Sequence, residues 1–347
     1  MIMMTNRQWL LTGAGVLALL LMPLILPNFW LANILGRAMV YGIVALSLTF
    51  LAHYGGFVSL AQTMLAGVAG YSVAMMAPTA IPLGPLAMPY GFAIPLAVLA
   101  ATLAGALVGL IAVNTREIYL LMITLALAVG FSLFAQSNTQ WFRGYEGIRN
   151  IVGPELFGMP FRTHIVFYYV ALIMAVLMYL LVLYVVRTPF GLALQAIRDS
   201  ARRTSAIGFN VALHRIAAFA LAGFIAGWGG VLITFYNIGI TPSSIGLWPT
   251  VAVLVMAVIG GLENVVAAAV GAIIISFGLE FLRNDFVIMG SRVDMSTWRL
   301  VFFGLLLMLT LRFLRNGVIH GGLLWLERRS VGAETVAKRR AGAEGGQ

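Results

Sequence analysis

Residues 187–215 read RTPFGLALQAIRDSARRTSAIGFNVALHR and form the longest polar, charged interval of an otherwise apolar chain. The interval holds five arginines, and long apolar runs flank it on both sides. Pro189 suits a first helical turn, where a missing N–H breaks no intrahelical hydrogen bond. Ala193, Ile197 and Ala201 then recur every four residues, which predicts a short amphipathic helix against the inner surface of a membrane protein.

The charged residues of this interval fall on the other side of the predicted helix. Asp199 and Arg203 are spaced i,i+4, which favours an ion pair between them. Gly208 follows where a helix would take a left-handed cap. Such a helix, with Arg198 and Arg202 also turned outward, is suited to presentation to a partner protein. The alternative is an ordinary basic loop that only determines the membrane topology.

The composition excludes a soluble protein. Of 347 residues, 61% are hydrophobic and only 9% are charged, whereas about a quarter are charged in soluble domains. The net charge of +10 lies in short loops and the C-terminal tail, as the positive-inside rule produces, and no nucleic-acid-binding motif accompanies it. Because the chain has no cysteine, disulfides, thiol catalysis and cysteine-based metal sites are also excluded.

Ten apolar segments can be drawn, and most reach the roughly 20 residues that a bilayer core requires. The segments are 9–26, 35–53, 57–77, 91–113, 118–136, 164–186, 216–236, 248–260, 265–282 and 299–313. They predict an all-α integral membrane protein with about 8 to 10 transmembrane helices, some of them broken or re-entrant. Residues 1–326 are predicted to be one polytopic transmembrane domain, and residues 327–347 a basic, disordered cytoplasmic tail.

The distribution of Lys and Arg predicts the orientation. With residues 187–215 inside, 14 of the 21 basic residues lie on the inner side and seven on the outer side. This asymmetry predicts that both termini are cytoplasmic. The outer segment 137–164 then carries aromatic residues beside charges of both signs, a composition that suits short surface helices able to meet a soluble protein. For Trp141, Phe142 and Phe157 the favoured interpretation is an interfacial anchor.

Two stretches interrupt the long apolar helices and are predicted to line the transport path. In the first, Gly55-Gly56 separates two spans, and Ser59, Gln62 and Thr63 follow as polar groups on one side of the next span. In the second, Gly260-Gly261 precedes Leu262, Glu263 and Asn264 inside one apolar run. Irregular backbone at membrane depth is tolerated where it is buried in protein or lines a watery cavity.

The second stretch leaves two questions open. Its Gly-Gly pair is equally suited to a tight cytoplasmic turn, with Glu263 simply exposed at the surface. Residues 248–282 form one crossing, two crossings or a re-entrant segment, and hydropathy does not separate these possibilities.

Several classes of function lack the residues that they need. Lys338 is the only lysine and lies in the tail, so the chain has no phosphate-binding loop of the GxxxxGK[ST] type. No acidic residue falls in the middle of a predicted span, where ion-coupled carriers normally keep one. The four histidines are scattered without metal-ligand spacing. We therefore predict that the chain is not an enzyme and carries no cofactor or metal.

Four stretches carry a resemblance to a known family: residues 189–230, from PFGLALQAIRDSARRTSAIGFN to the end of the following Gly- and Ala-rich helix; GGFVSLAQTMLAGVAGY at 55–71; IYLLMITLALA at 118–128 with FRGYEGI at 142–148; and LVMAVIGGLENVVAAAVGA at 254–272. In this order they resemble the permease subunits of branched-chain amino acid ABC importers. Two departures stand out. Ser200-Ala201 replaces an acidic residue after the Arg-Asp pair, and Glu263-Asn264 stands where small residues are usual.

The resemblance implies a multi-pass protein of the inner (plasma) membrane that moves branched-chain or similar hydrophobic amino acids by ATP-driven alternating access. It implies four kinds of partner: a second homologous permease subunit, two cytoplasmic ATP-binding subunits, an extracytoplasmic solute-binding protein and membrane lipid. It also implies that the residues contacting the ATPase lie in the 187–215 interval, and the candidates are Arg187, Gly191, Ile197, Arg198, Asp199, Arg202 and Gly208. The alternatives are a permease of the same class for urea or short amides, and a stand-alone secondary carrier or channel.

Overall fold

The computed structural model is a bundle of α-helices with two short β-ribbons. The structure describes residues 17–24, 26–77, 88–113, 115, 117–151, 153–155, 161, 163–261, 265–281, 286–288 and 291–293, together with Gly13, Gly15 and four positions between 304 and 312. The predicted run 9–26 is described only in part, the run 299–313 falls largely outside the described residues, and the tail 327–347 lies outside them.

The helices follow the apolar runs of the sequence. Their bounds are α1 Leu31–Gly55, α2 Gln62–Met76, α3 Tyr90–Ala112, α4 Glu117–Ser137, α5 Thr139–Phe142, α6 His164–Arg187, α7 Pro189–Ala206, α8 Val211–Tyr236, α9 Leu247–Gly260 and α10 Val265–Phe281. Helix α1 is regular only over Arg37–Phe50, because Leu31–Gly36 and Leu51–Gly55 are π-helical. Shorter helical turns occupy Met22–Leu24, Asn28–Trp30, Gly144–Glu146 and Pro242–Ser244.

Among the described residues, six helices are long and apolar enough to cross a membrane. They are α1, α3, α4, α6, α8 and the unit Pro242–Gly260 that contains α9. Helices α2 and α10 are shorter, with 15 and 17 residues. The prediction of an all-α integral membrane protein is confirmed, and the apolar runs drawn between residues 35 and 282 each become a helix.

Helix α8 occupies the centre of the bundle and packs against α3, α2 and α1. Glycines make these approaches close: a Cβ on Gly230 would lie 1.9 Å from the carbonyl oxygen of Ala66, and a Cβ on Gly105 would lie 2.5 Å from that of Phe219. Small residues at helix crossings let the two backbones meet, and packing replaces the hydrophobic effect as the force between membrane helices. The core therefore sits on α1, α2 and α8.

Helices α3, α4 and α6 lie at the periphery, where only about a third of each span is buried. The side chains of Leu99, Leu103 and Leu107 on α3 remain more than half exposed. A row of leucines facing outward is suited to contact with lipid, which is as apolar as the side chains themselves.

Helix α10 folds back on α9. A Cβ on Gly271 would lie 1.9 Å from the carbonyl oxygen of Met256 and 2.7 Å from the nitrogen of Gly260. Because Gly271 meets residues that precede the Gly260-Gly261 break, the two helices form an antiparallel hairpin. Leu247–Gly260 and Val265–Phe281 are therefore two packed helices and not one straight crossing.

Two antiparallel ribbons complete the described fold. Strand β1, Ile148–Arg149, pairs with β2, Gly239–Ile240, in the register Ile148 to Ile240. Strand β3, Phe286–Ile288, pairs with β4, Ser291–Val293. The first ribbon joins the segment after α5 to the chain that leaves α8, so both lie at the same end of the bundle. Helix α7 leads into the opposite end of α8, about 39 Å away at 1.5 Å per residue over 26 residues.

The two ends of the bundle allow a direct test of the predicted orientation. Cysteines are absent, so single cysteines report without background. We expect a cysteine at the exposed Ser137 or Ser243 to react with an impermeant maleimide in intact cells. A cysteine at Ser205 in α7, or at Ser330 in the tail, is expected to react only after the membrane is opened. Labelling of Ser205→Cys from outside would reverse the orientation.

Candidate functional site

Helix α7 begins as the sequence predicts. Thr188 is the N-cap residue, its hydroxyl oxygen accepts a hydrogen bond from the Gly191 backbone N–H at 3.5 Å, and Pro189 occupies the first turn. Only glycine fits at position 191, because a Cβ there would lie 2.4 Å from the Val185 carbonyl oxygen at the end of α6. The chain can therefore turn sharply from the membrane span α6 into the surface helix α7.

The apolar side of α7 is buried and its charged side is exposed, which confirms the amphipathic helix. Ala193, Leu194 and Ile197 are at most 5% exposed, whereas Arg198 and Asp199 are exposed. The helix is not straight, however. Ser200 has the extended backbone angles φ −163° and ψ 99°, and its hydroxyl oxygen accepts from the Arg203 N–H at 3.4 Å, as an N-cap side chain does.

The predicted ion pair between Asp199 and Arg203 is wrong. Asp199 pairs instead with its neighbour Arg198, whose Nη2 lies 3.1 Å from the aspartate Oδ1. The kink at Ser200 stands between positions 199 and 203 and removes the i,i+4 geometry that the pair would need. The kink falls at the first of the two positions where the sequence departs from the family's pattern.

The end of α7 confirms the predicted glycine cap. Gly208 has φ +101°, its N–H donates to the Ser205 carbonyl at 3.0 Å, and the Phe209 N–H donates to the Thr204 carbonyl at 3.3 Å. These two bonds are those of a Schellman motif, which satisfies carbonyls that the helix end would otherwise leave open. Nothing lies within 4 Å of a Cβ at Gly208, so its backbone angle alone selects glycine.

The first predicted break in the transport path is a true helix end, and α7 lies directly on it. The Arg198 guanidinium Nη1 donates a 2.6 Å hydrogen bond to the backbone carbonyl of His53, in the π-helical last turn of α1. Gly56 ends that turn with φ +72°, and a Cβ there would lie 2.6 Å from Cγ of Arg198. The structure thus brings the candidate coupling residue Arg198 and the candidate path residues Gly55 and Gly56 together.

The remaining coupling candidates lie at the end of α6 and along α7. Arg187 closes α6 and is exposed, Arg202 is exposed on α7, and Ile197 is buried beneath them. Arg215, at the start of α8, donates to the Val113 carbonyl at 3.1 Å, and its guanidinium lies 4.7 Å from the centre of the Phe57 ring. Arg198 on α7 therefore holds the last turn of α1, and Arg215 on α8 holds the end of α3.

The polar path candidates after the break are buried between helices. Gln62 Oε1 accepts from the Ser47 hydroxyl at 2.8 Å, and among the described residues Gln62 Nε2 has no hydrogen-bond partner. Ser59 is fully buried and accepts from the Ala61 N–H at 3.3 Å. The hydroxyls of Thr63 and Thr250 are 2.5 Å apart and join α2 to α9. These groups offer neutral hydrogen bonding at depth, with one unused amide donor at Gln62.

The second predicted break is also a helix end. Helix α9 stops at Gly260, and Gly261 has φ +108°, a backbone region that favours glycine. Both glycines are buried. The candidates Glu263 and Asn264 lie outside the described residues.

The opposite end of the bundle contains a cavity that the sequence did not predict. Its volume is about 850 Å³, and its walls include Arg37, Tyr41, Arg149, Asn150, Trp248 and Met256. The hydropathy pattern starts the second apolar segment at residue 35 and so places Arg37 at its outer edge. The structure starts that span at Leu31, and Arg37 becomes its seventh residue. The sequence period expected for an α-helix does not reveal this extension, because Leu31–Gly36 is π-helical and follows a different period.

Comparisons with known proteins bear on this geometry. Residues 30–311 match the family model described as branched-chain amino acid transport system / permease component. The chain is 24% identical over 295 residues to the high-affinity branched-chain amino acid transport system permease protein LivM of Salmonella typhimurium, covering 77% of this chain and 68% of the relative. It is 27% identical over 234 residues to LivM of Escherichia coli, covering 59% of this chain and 55% of the relative.

A relative with another named substrate is also similar. The fructose import permease protein FrcC of Rhizobium meliloti is 28% identical over 251 residues, covering 66% of this chain and 69% of the relative. The chain thus spans between about half and two thirds of the length of these relatives. No solved structure matches the chain significantly.

Proposed function

The chain belongs to the branched-chain amino acid transport system permease family, a family of multi-pass membrane proteins, and on that premise we propose that it is the permease subunit of an ATP-driven importer for branched-chain or similar hydrophobic amino acids. A second homologous permease subunit, two cytoplasmic ATP-binding subunits and an extracytoplasmic solute-binding protein would complete the transporter. The names of the relatives support the class, and the fructose permease among them indicates that this class serves more than one solute.

The contact between Arg198 and the His53 carbonyl carries the mechanism. It joins the exposed side of α7 to the last turn of α1 by a charge-assisted hydrogen bond of 2.6 Å. An ATPase that pushes α7 would therefore displace the Gly55-Gly56 break at the same time. Because a helix end with a left-handed glycine is a place where backbone angles can change, this break would open and close the path.

The chain needs partners for energy, which supports an ABC importer over a stand-alone carrier. Its sequence has no phosphate-binding loop, since the only lysine is Lys338. A secondary carrier would need an ionisable group in its path to couple transport to an ion gradient, yet the described path candidates Ser59 and Gln62 are neutral, and the ionisable candidate Glu263 lies outside the described residues.

The neutral polar groups along the path suit a net-neutral solute such as leucine or valine. Gln62 and Ser59 hydrogen-bond without a net charge, so a strongly charged solute would find no counter-charge beside them. Urea and fructose are neutral as well. The preference for amino acids therefore rests on the family and not on these side chains.

Uptake by the reconstituted assembly tests the proposal. We expect labelled leucine to enter proteoliposomes only when ATP and the partner subunits are present, with urea and fructose as competing solutes. The chain alone is expected to give no flux above empty liposomes. Leucine flux through the isolated chain without ATP would favour a carrier, and ATP-driven uptake of urea or fructose without leucine would change the substrate and keep the class.

A further inference from the structure

The 850 Å³ cavity at the end of the bundle opposite α7 has the size of a ligand site, since such sites measure about 300–1,000 Å³. We propose that this cavity binds the solute itself, and that Arg37 and Arg149 recognise a carboxylate on it. The ligand class is therefore a zwitterionic amino acid with an aliphatic side chain. The inference rests on the proposed transport function and adds the group by which the permease would distinguish its solute.

Arg37 is the first observation. It is the seventh residue of the apolar span Leu31–Gly55, about 9 Å along the helix from its start. Charged side chains within apolar spans are rare, and most of them face the bundle interior or a cavity, as Arg37 does here. Among the described residues no carboxylate pairs with Arg37, and its recorded contact is with the Tyr41 ring, whose centre is 5.7 Å from the guanidinium carbon. Its hydrogen-bond donors are thus available to a ligand.

Arg149 supplies a second guanidinium from a different element, strand β1. Its Nε donates to the Glu146 carbonyl at 3.2 Å, and no other hydrogen bond of its side chain is recorded within the described part of the chain. The backbone around it is held in sparsely populated angles: Asn150 has φ 63° and Ile238 has φ 56°. A β-branched residue with positive φ is strained, and such strain persists mostly at functional sites.

The walls of the cavity suit both parts of an amino acid. Guanidinium groups bind carboxylates through two parallel, charge-assisted hydrogen bonds. Trp248 and Met256 provide apolar surface for an aliphatic side chain, and the Thr241 and Ser244 hydroxyls provide acceptors for an ammonium group. A solute without a carboxylate, such as urea or leucinol, would lack these charge-assisted hydrogen bonds and bind less tightly.

Protection of a single cysteine tests this assignment without ATP or uptake. Ser243 lines the cavity and is exposed, and cysteine is otherwise absent from the chain. In the purified full-length chain carrying Ser243→Cys, we expect leucine to slow maleimide labelling. Leucinol should require a concentration at least about tenfold higher for the same protection, because it lacks the carboxylate. Adding Arg37→Gln should raise the leucine concentration needed by at least about tenfold, and Arg37→Lys by less.

Two controls isolate the effect. Ser137→Cys lies at the same end of the bundle but outside the cavity lining, so leucine should not protect it. Arg143→Gln removes a nearby arginine that does not line the cavity and should leave protection of Ser243→Cys unchanged. Equal protection by leucine and leucinol, protection that survives loss of both cavity arginines, or no protection at Ser243→Cys would each overturn the proposal. If ATP-driven uptake fails, the labelling experiment still tests the binding site, because it requires neither ATP nor uptake.

Discussion

Arg198→Glu is expected to abolish solute uptake while the partner subunits continue to hydrolyse ATP. The substitution removes the donor that holds the His53 carbonyl at 2.6 Å and places a carboxylate next to both that carbonyl and Asp199. Like charges and unpaired acceptors in contact repel, so α7 should separate from the last turn of α1. We expect uptake to fall by more than about tenfold, since one lost charge-assisted hydrogen bond is worth about 1.5–3 kcal/mol.

The protein should still fold and assemble in this variant. Arg198 is exposed on the surface of α7, so the substitution buries no unpaired charge, and the free energy of unfolding should fall by no more than the about 1.5–3 kcal/mol of the lost hydrogen bond. Uptake and ATP hydrolysis are measured side by side in proteoliposomes containing the whole transporter, with the amount of assembled protein quantified.

Arg203→Glu is the matched control. It makes the same change of charge on the same exposed helix, but no hydrogen bond of the Arg203 side chain is recorded within the described residues. Its uptake should exceed that of Arg198→Glu by severalfold, and Arg198→Lys should fall between Arg198→Glu and the wild type. Normal uptake in Arg198→Glu would contradict the coupling role and leave residues 187–215 as a basic loop that only determines topology.

Gly230→Ala is expected to cause a large loss of stability. Its Cβ would lie 1.9 Å from the Ala66 carbonyl oxygen and 2.5 Å from the Ala66 carbonyl carbon. Both atoms belong to the backbone of α2, so no side chain can rotate away and the two helices must separate. Overpacking of this kind costs about 1–3 kcal/mol, which corresponds to a fall in melting temperature of roughly 5 °C.

Gly130→Ala provides the comparison for Gly230→Ala. Gly130 also lies within a helix, but nothing is found within 4 Å of a Cβ placed there. Its melting temperature in detergent should stay near that of the wild type, because alanine is the better helix former. Similar melting temperatures for the two variants would contradict the close approach of α8 and α2 at this position.

The sequence alone determined the features that arise from neighbouring residues. The apolar runs predict the membrane helices because each run must satisfy its own backbone hydrogen bonds within the bilayer. Both ends of helix α7 and its apolar side are predicted, although the kink at Ser200 is not, since Pro189, the four-residue apolar repeat and Gly208 act within one or two turns. The helix ends at Gly55-Gly56 and Gly260-Gly261 are predicted for the same reason, because glycine accepts backbone angles that other residues avoid.

The partners of charged side chains were decided only by the tertiary structure. Arg198 bonds a carbonyl 145 residues away, and nothing near Arg198 in the sequence indicates that His53 would be within reach. The pairing of Asp199 with Arg198 depends on the kink at Ser200, and the cavity beside Arg37 depends on strands β1 and β2, which lie about 90 residues apart. Hydropathy indicates which residues lie in the membrane. The hydrogen-bond partner of a guanidinium depends instead on how distant helices pack, and that packing results from many individually weak contacts.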